Sequence, residues 1–227
     1  MEPNRREVLQ AVGAGVALAW SGAARADRSN EDALDEALQR IHRREPESVN
    51  GLSTHAPMVV EVLAALGRGD RVEAWLDGYR GTARQLPRAT RRIDPQQWRA
   101  ALGPDVSAAS WERANPRWGD WVELFTGELA ARPWRDVLDT WVGRLAPGMV
   151  SAATHGVIRT SHAARAMARR ESPERRAELA RGLAYWASSY EEVAGRGPAV
   201  ASLDKLPLYA EATGHRPGGG SITEGLR

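Results

Sequence analysis

Two of the five histidines in this 227-residue chain stand seven positions apart with an arginine between them, in Thr154-His155-Gly156-Val157-Ile158-Arg159-Thr160-Ser161-His162. On a helix turning about 100° per residue, Arg159 falls roughly 40° from His155, and His162 roughly 20° from it on the other side. Ala152, Ala163 and Ala166 fill the same face and leave room beside the rings. A buried polar group left unpaired costs roughly 2–7 kcal/mol, so such a stripe calls for a metal, an acidic ligand or a polar network. Seven helical residues rise about 10 Å, whereas side chains that meet on one helix stand three or four apart. His155 and His162 would therefore share an ion only if the chain deviates near Gly156.

Other reaction classes leave no mark. No Gly-x-Gly-x-x-Gly follows a strand pattern, and Gly218-Gly219-Gly220 has no strand before it, so a Rossmann site for flavin or NADPH is not expected. Ser161 and His162 are adjacent on a helix and diverge, which is not the geometry of a triad. The absence of cysteine removes thiolate catalysis, disulfides and Cys-based metal centres. Net charge is +2, Lys205 is the single lysine, and the arginines are scattered among acids. Nucleic acid would need a continuous basic face, so no nucleic-acid partner is expected.

The elements that must position these residues are helical. Ser29-Asn30-Glu31-Asp32 reads as a capped start to a helix running to about Arg44. A second helix follows Pro57 and ends at Gly67, and Asp70 caps a third carrying Val72, Trp75, Leu76 and Tyr79 at i, i+3, i+4 and i+7. Asp94-Pro95 opens a short helix through Leu102. Further helices span Trp118 to Arg132, Pro133 to Leu145, Met149 to Arg170, and Ser172 to about Val193. No stretch alternates with period two, so a sheet is not indicated. The fold class is all-α, a single helical bundle of about seven or eight helices over residues 27–194, with a loose Gly/Pro-rich tail over 195–227.

Nine tryptophans against one phenylalanine make the indole the main aromatic. Most stand at helical spacing and read as core, while Trp111, Trp118 and Trp121 flank the breaker-rich Ala114-Asn115-Pro116 and could line a pocket for a flat aromatic ligand. The first residues carry an address. Asn4-Arg5-Arg6 is a twin-arginine pattern, the apolar run from Ala11 to Trp20 follows, and Ala24-Arg25-Ala26 supplies a small-x-small cleavage signal. Residues 1–26 thus read as a twin-arginine signal peptide directing export to the periplasm or beyond. The run is about half the ~20 residues a bilayer span needs, so no permanent membrane anchor is expected.

Thr54-His55-Ala56-Pro57-Met58, the Tyr79 helix, Trp98-Arg99-Ala100-Ala101-Leu102-Gly103, Pro147-Gly148, the Thr154 to Arg159 run with His162, and Gly182-Leu183-Ala184-Tyr185-Trp186-Ala187 occur in a fixed order. From about Ala33 to Tyr190 the chain resembles the N-terminal half of the questin oxidase family. The resemblance implies an all-helical oxidoreductase that opens anthraquinone-type rings with oxygen, described as NADPH-dependent and Baeyer–Villiger-like. It also implies, for part of the family, a non-haem iron held by several histidines and a modified lysine. On that resemblance His55 and His155 are the metal ligands, and Arg159 and His162 are the catalytic candidates, with Arg159 neutralising a phenolic or oxygen-derived anion. Family members are longer, and their second half supplies further ligands. Here Lys205 and His215 stand in the tail without a histidine pattern, and His42 on a charged helix end reads as solvated. Either a second copy of the chain completes the site for a small aromatic substrate, or the chain is a shortened non-catalytic relative acting as a binding protein, or a gene fragment.

Overall fold

A computed structural model describes residues 29–42, 44–48, 53–79, 83–85, 89–103 and 117–192. The chain divides into a unit ending at Glu191 and a second unit, Glu192–Arg227. The expectations for the signal peptide, the tail with Lys205 and His215, and Trp111 fall outside the described residues.

The first unit is all-α in its packed layers. Helix α1 covers residues 29–41. Then come α2 (Ala56–Ala65), α3 (Val72–Gly78), α4 (Trp118–Ala131), α5 (Trp134–Leu145), α6 (His155–Arg169) and α7 (Pro173–Ser188). Short 3₁₀ turns lie at Gly69–Arg71, Trp98–Ala101 and Ala146–Gly148. The helix expected from Asp94 is only the second of these turns, and Asp70 sits inside the first rather than capping α3 with its side chain. A two-stranded antiparallel ladder was not expected: β1 (Arg44–Ser48) pairs with β2 (Ala83–Gln85), Arg44 facing Gln85 and Ser48 facing Ala83. No described helix is long and apolar enough to cross a membrane.

Helix α7 is the central element, packed between α4 and α6, and α2 lies on the other side of α6. Its start follows from sequence: Pro173 occupies the first turn, and the Ser172 side chain accepts the Arg175 N–H at 3.2 Å. Arg132, which precedes Pro133, takes an extended conformation, and that ends α4. In α5, the helical spacing of Trp134, Val137, Leu138, Trp141 and Leu145 puts them on one face, and all are buried except Leu138, which is partly buried against the core.

The larger apolar cluster joins α4, α5 and α7, and a smaller one joins α1, α2 and α3 with Ala166 of α6. Trp141 is the hub of the first. It meets Phe125 at 4.8 Å, Trp98 at 5.4 Å and Trp121 at 5.7 Å, all edge to face. An indole brings an N–H that must be satisfied when buried. Trp118, Trp121 and Trp186 donate to the carbonyls of Arg181, Ala101 and Gly148, and Trp134 and Trp141 donate to Glu171 and Glu128. Trp118 and Trp121 are fully buried core, so neither lines an open pocket for an aromatic ligand.

Two glycines bring α6 and α7 main chain to main chain. A Cβ on Gly156 would stand 2.7 Å from Trp186 Cα, and one on Gly182 would stand 3.0 Å from Thr160 Cα. Gly127 on α4 has nothing within 4 Å of the same position. Gly182→Ala should therefore lower stability by about 1–3 kcal/mol through overpacking, whereas Gly127→Ala should raise it by about 0.5–1 kcal/mol through helix propensity. Urea unfolding followed by far-UV circular dichroism reads both signs.

Candidate functional site

The site begins with a strained turn. Ala152, Ala153 and Thr154 have φ of 49°, 50° and 69°. Left-handed backbone costs an L-residue roughly 1–2 kcal/mol, and here three such residues follow one another without a glycine. The turn is held from outside: Ser151 Oγ donates to the Gly148 carbonyl and accepts the Glu191 N–H at 2.9 Å. Its effect is to start α6 at His155, six residues later than the helical pattern predicts. The deviation lies just before His155 rather than after it.

The turn folds two carbonyls onto one ring. His155 Nδ1 lies 2.9 Å from the Ala152 oxygen and 3.0 Å from the Ala153 oxygen. A carbonyl can only accept, so Nδ1 carries a proton, and in the neutral ring Nε2 then presents a lone pair. Backbone support of this kind is what orients a metal-binding imidazole.

His55 arrives from the other side, at the residue preceding α2, where its side chain makes no capping bond. Ser53 and Tyr185 hydroxyls, 2.6 Å apart, tie this segment to α7. The Nε2 atoms of His55 and His155 stand 3.1 Å apart, with the rings edge to face and their centroids 5.0 Å apart. Partial burial, and then the His155 ring, push the His55 imidazole below its ordinary value, while a hydrogen bond to the Ser53 backbone acts the other way. Two imidazoles distant in sequence thus converge, and the lone pair of one faces the same atom of the other. Such a gap needs a shared proton or a metal cation. Among the described residues, no group of three or more His, Asp or Glu assembles to hold a metal.

Arg159 and His162 are placed elsewhere in the polar face. Arg159 is 4% exposed, and its guanidinium is bidentate on Glu178, Nε at 2.7 Å and Nη2 at 3.0 Å. Its charge is already matched, so neutralising a substrate anion would require displacing a buried carboxylate. His162 Nδ1 stands 2.7 Å from Glu61 Oε2, on an unbroken α6 two turns beyond His155. It does not share an ion with His155.

Glu61 on α2 collects His162, Arg165 and Arg169. Burial opposes its ionisation, but hydrogen bonds from these three groups outweigh that and hold its pKa near 2. Sequence reasoning passed over Glu61, although one acid between Met58 and Ala64 on a buried stripe is a legible sign of a buried cation. His42 differs from expectation. Its Nε2 is buried without a hydrogen-bond partner, as is Arg181 Nε. Burial first, then the Arg181 charge, push His42 down to about 4. Glu61, His162 and Ala166 also line a crevice with Leu34, Leu38 and Pro57, with room for about one water.

No family model, curated protein or solved structure matches the chain. The likeness to questin oxidases therefore rests on the residues quoted above.

Glu178→Gln should cost about 3–5 kcal/mol by stranding the Arg159 charge, and the paired Arg159→Met/Glu178→Leu should recover most of it; chemical denaturation of the three proteins checks this. Acid should act through His42, which faces Arg181, Glu178, Arg159 and Glu174. Its folded pKa near 4 lies below the ordinary 6.5, so the unfolded chain binds the extra proton. The neutral ring's contribution is full above 6.5 and is lost as pH falls to 4, a slope worth about 3 kcal/mol. The urea midpoint of His42→Gln should be flatter across that window than that of the parent. Glu61 adds a further loss from its ordinary 4.5 down to about 2.

Proposed function

We propose that the chain is an exported oxidoreductase of the questin oxidase type, which uses dioxygen to oxidise or open a polycyclic, anthraquinone-like aromatic. His55 and His155 would hold a non-haem iron. The observation that carries this reading is the 3.1 Å separation of two Nε2 atoms, one of them fixed as an acceptor by backbone carbonyls. Two imidazole nitrogens this close would be able to ligate one cation together. Imidazole nitrogen suits iron, and two such ligands leave several positions open. When bound, iron would supply the one-electron chemistry that dioxygen requires.

The chain's own residues then have divided roles. His55 and His155 bind; the carbonyls of Ala152 and Ala153 keep the His155 proton on Nδ1. Arg159 and His162, through Glu178 and Glu61, hold α6 in place. Ligands beyond the two histidines come from a second copy of the chain or from water. A role for NADPH and the periplasmic address rest on the resemblance and on the twin-arginine pattern respectively.

A second reading is favoured by one observation: Arg159, His162 and Glu61 satisfy one another or their neighbours, as the groups of a purely structural network would. On this reading the chain is a non-catalytic binding protein, and the imidazole pair shares a proton. Protein exported and purified from iron-replete cells should carry stoichiometric iron by elemental analysis, lose it in His155→Ala, and consume oxygen when given a hydroxyanthraquinone. Metal-free protein whose stability is unchanged by His55→Ala would overturn the iron reading and leave the second.

A further inference from the structure

Nothing in the local sequence of the turn before α6 asks for a left-handed path. It joins a 3₁₀ turn ending at Gly148 to a helix whose residue pattern extends back to Met149. The chain instead keeps two alanines and a threonine at φ between 49° and 69°. Backbone in this region persists only where its surroundings over-determine it, and such outliers gather at working sites.

The surroundings here can be named. Trp186 Nε1 donates to the Gly148 carbonyl at 2.9 Å, and the Ser151 hydroxyl bridges that carbonyl to the Glu191 N–H. The Thr154 N–H reaches back to the Val150 carbonyl at 3.1 Å, and its hydroxyl donates to the Ala153 carbonyl at 2.6 Å. At the far end, Gly156 lies against Trp186. The turn is thus clamped at both ends by α7 and the residues just after it. What the strained segment delivers is two carbonyl oxygens on one ring nitrogen, at 2.9 and 3.0 Å. A regular helix could not do this, since its carbonyls point along the axis to the N–H four residues on.

We infer that the turn Ala152–Thr154 is a positioning device for His155: its strain pre-sets the tautomer and direction of the ring, so that Nε2 meets a metal ion without reorganisation. This rests on the reading of His55 and His155 as ligands to one ion. The energy stored in the backbone is the counterpart of ordering that binding would otherwise require.

The inference predicts opposite signs for stability and affinity, which a merely structural turn would not give. Glycine adopts positive φ freely, so Ala153→Gly should raise the melting temperature of the metal-free protein. The same freedom releases the ring, and affinity for Co(II), titrated without oxygen and followed by its visible ligand-field bands, should fall about tenfold. Ala153→Asn, which tolerates the left-handed region but is less free than glycine, should stay near parental affinity. Parental protein that binds Co(II) through His155, alongside Ala153→Gly with undiminished affinity or a lowered melting temperature, would overturn the positioning role alone. Parental protein showing no His155-dependent Co(II) bands would overturn the ion reading together with it.

Discussion

A buried charge must be matched where it lies, and in this protein that requirement fixes four helices at once. Arg175 on α7 has no exposed surface. Its guanidinium donates to Asp35 at 2.7 Å and to the Glu31 carbonyl at 3.0 Å on α1, and to the Ala166 and Arg170 carbonyls at the end of α6. Arg169 spans Glu31 and Glu61, and Arg170 spans Asp32 and Asp35, so α1, α2, α6 and α7 share one lattice of guanidinium and carboxylate. Arginine suits this work because its planar fork meets several acceptors in fixed directions and stays charged. Arg175 also occupies the carbonyls that end α6, doing for that helix what a glycine cap does elsewhere.

This lattice divides the polar face of α6. Beyond its first turn, each charged or ring group is bonded to an acid on another helix: Arg159 to Glu178, His162 and Arg165 to Glu61, Arg169 to Glu31 and Glu61. Only at its first residue does the helix present a ring nitrogen to another histidine rather than to a carboxylate. The chemistry and the architecture of the face are therefore separable. A helix locked along its length by ion pairs can offer its end to a ligand without shifting, because the groups that set its register are not the groups that would bind.

How much of this the residues announce depends on the range of the interaction. The α5 stripe of Trp134, Val137, Trp141 and Leu145, and the Ser172-Pro173 start of α7, are local patterns and were legible as such. The approach of His55 to His155 spans 100 residues and rested on family likeness, yet the rings do meet. Ala152-Ala153-Thr154 carries no left-handed signature. Alanine is the best helix former, so the sequence reads through it as helix, and only contacts with Trp186 and Glu191 impose the turn. The Arg175–Asp35 pair, 140 residues apart, leaves no local trace either. His42 misled because its neighbours in sequence are charged, while its neighbours in space bury it.

The glycines at 156 and 182 have one more consequence. Where side chains separate two helices, any change of volume alters their distance; where main chain touches main chain, the spacing has a hard floor. The α6–α7 seam is of the second kind over the turn from Gly156 to Thr160 that follows His155. The spacing of α6 and α7 beside His155 is therefore set by backbone rather than by the choice of side chains.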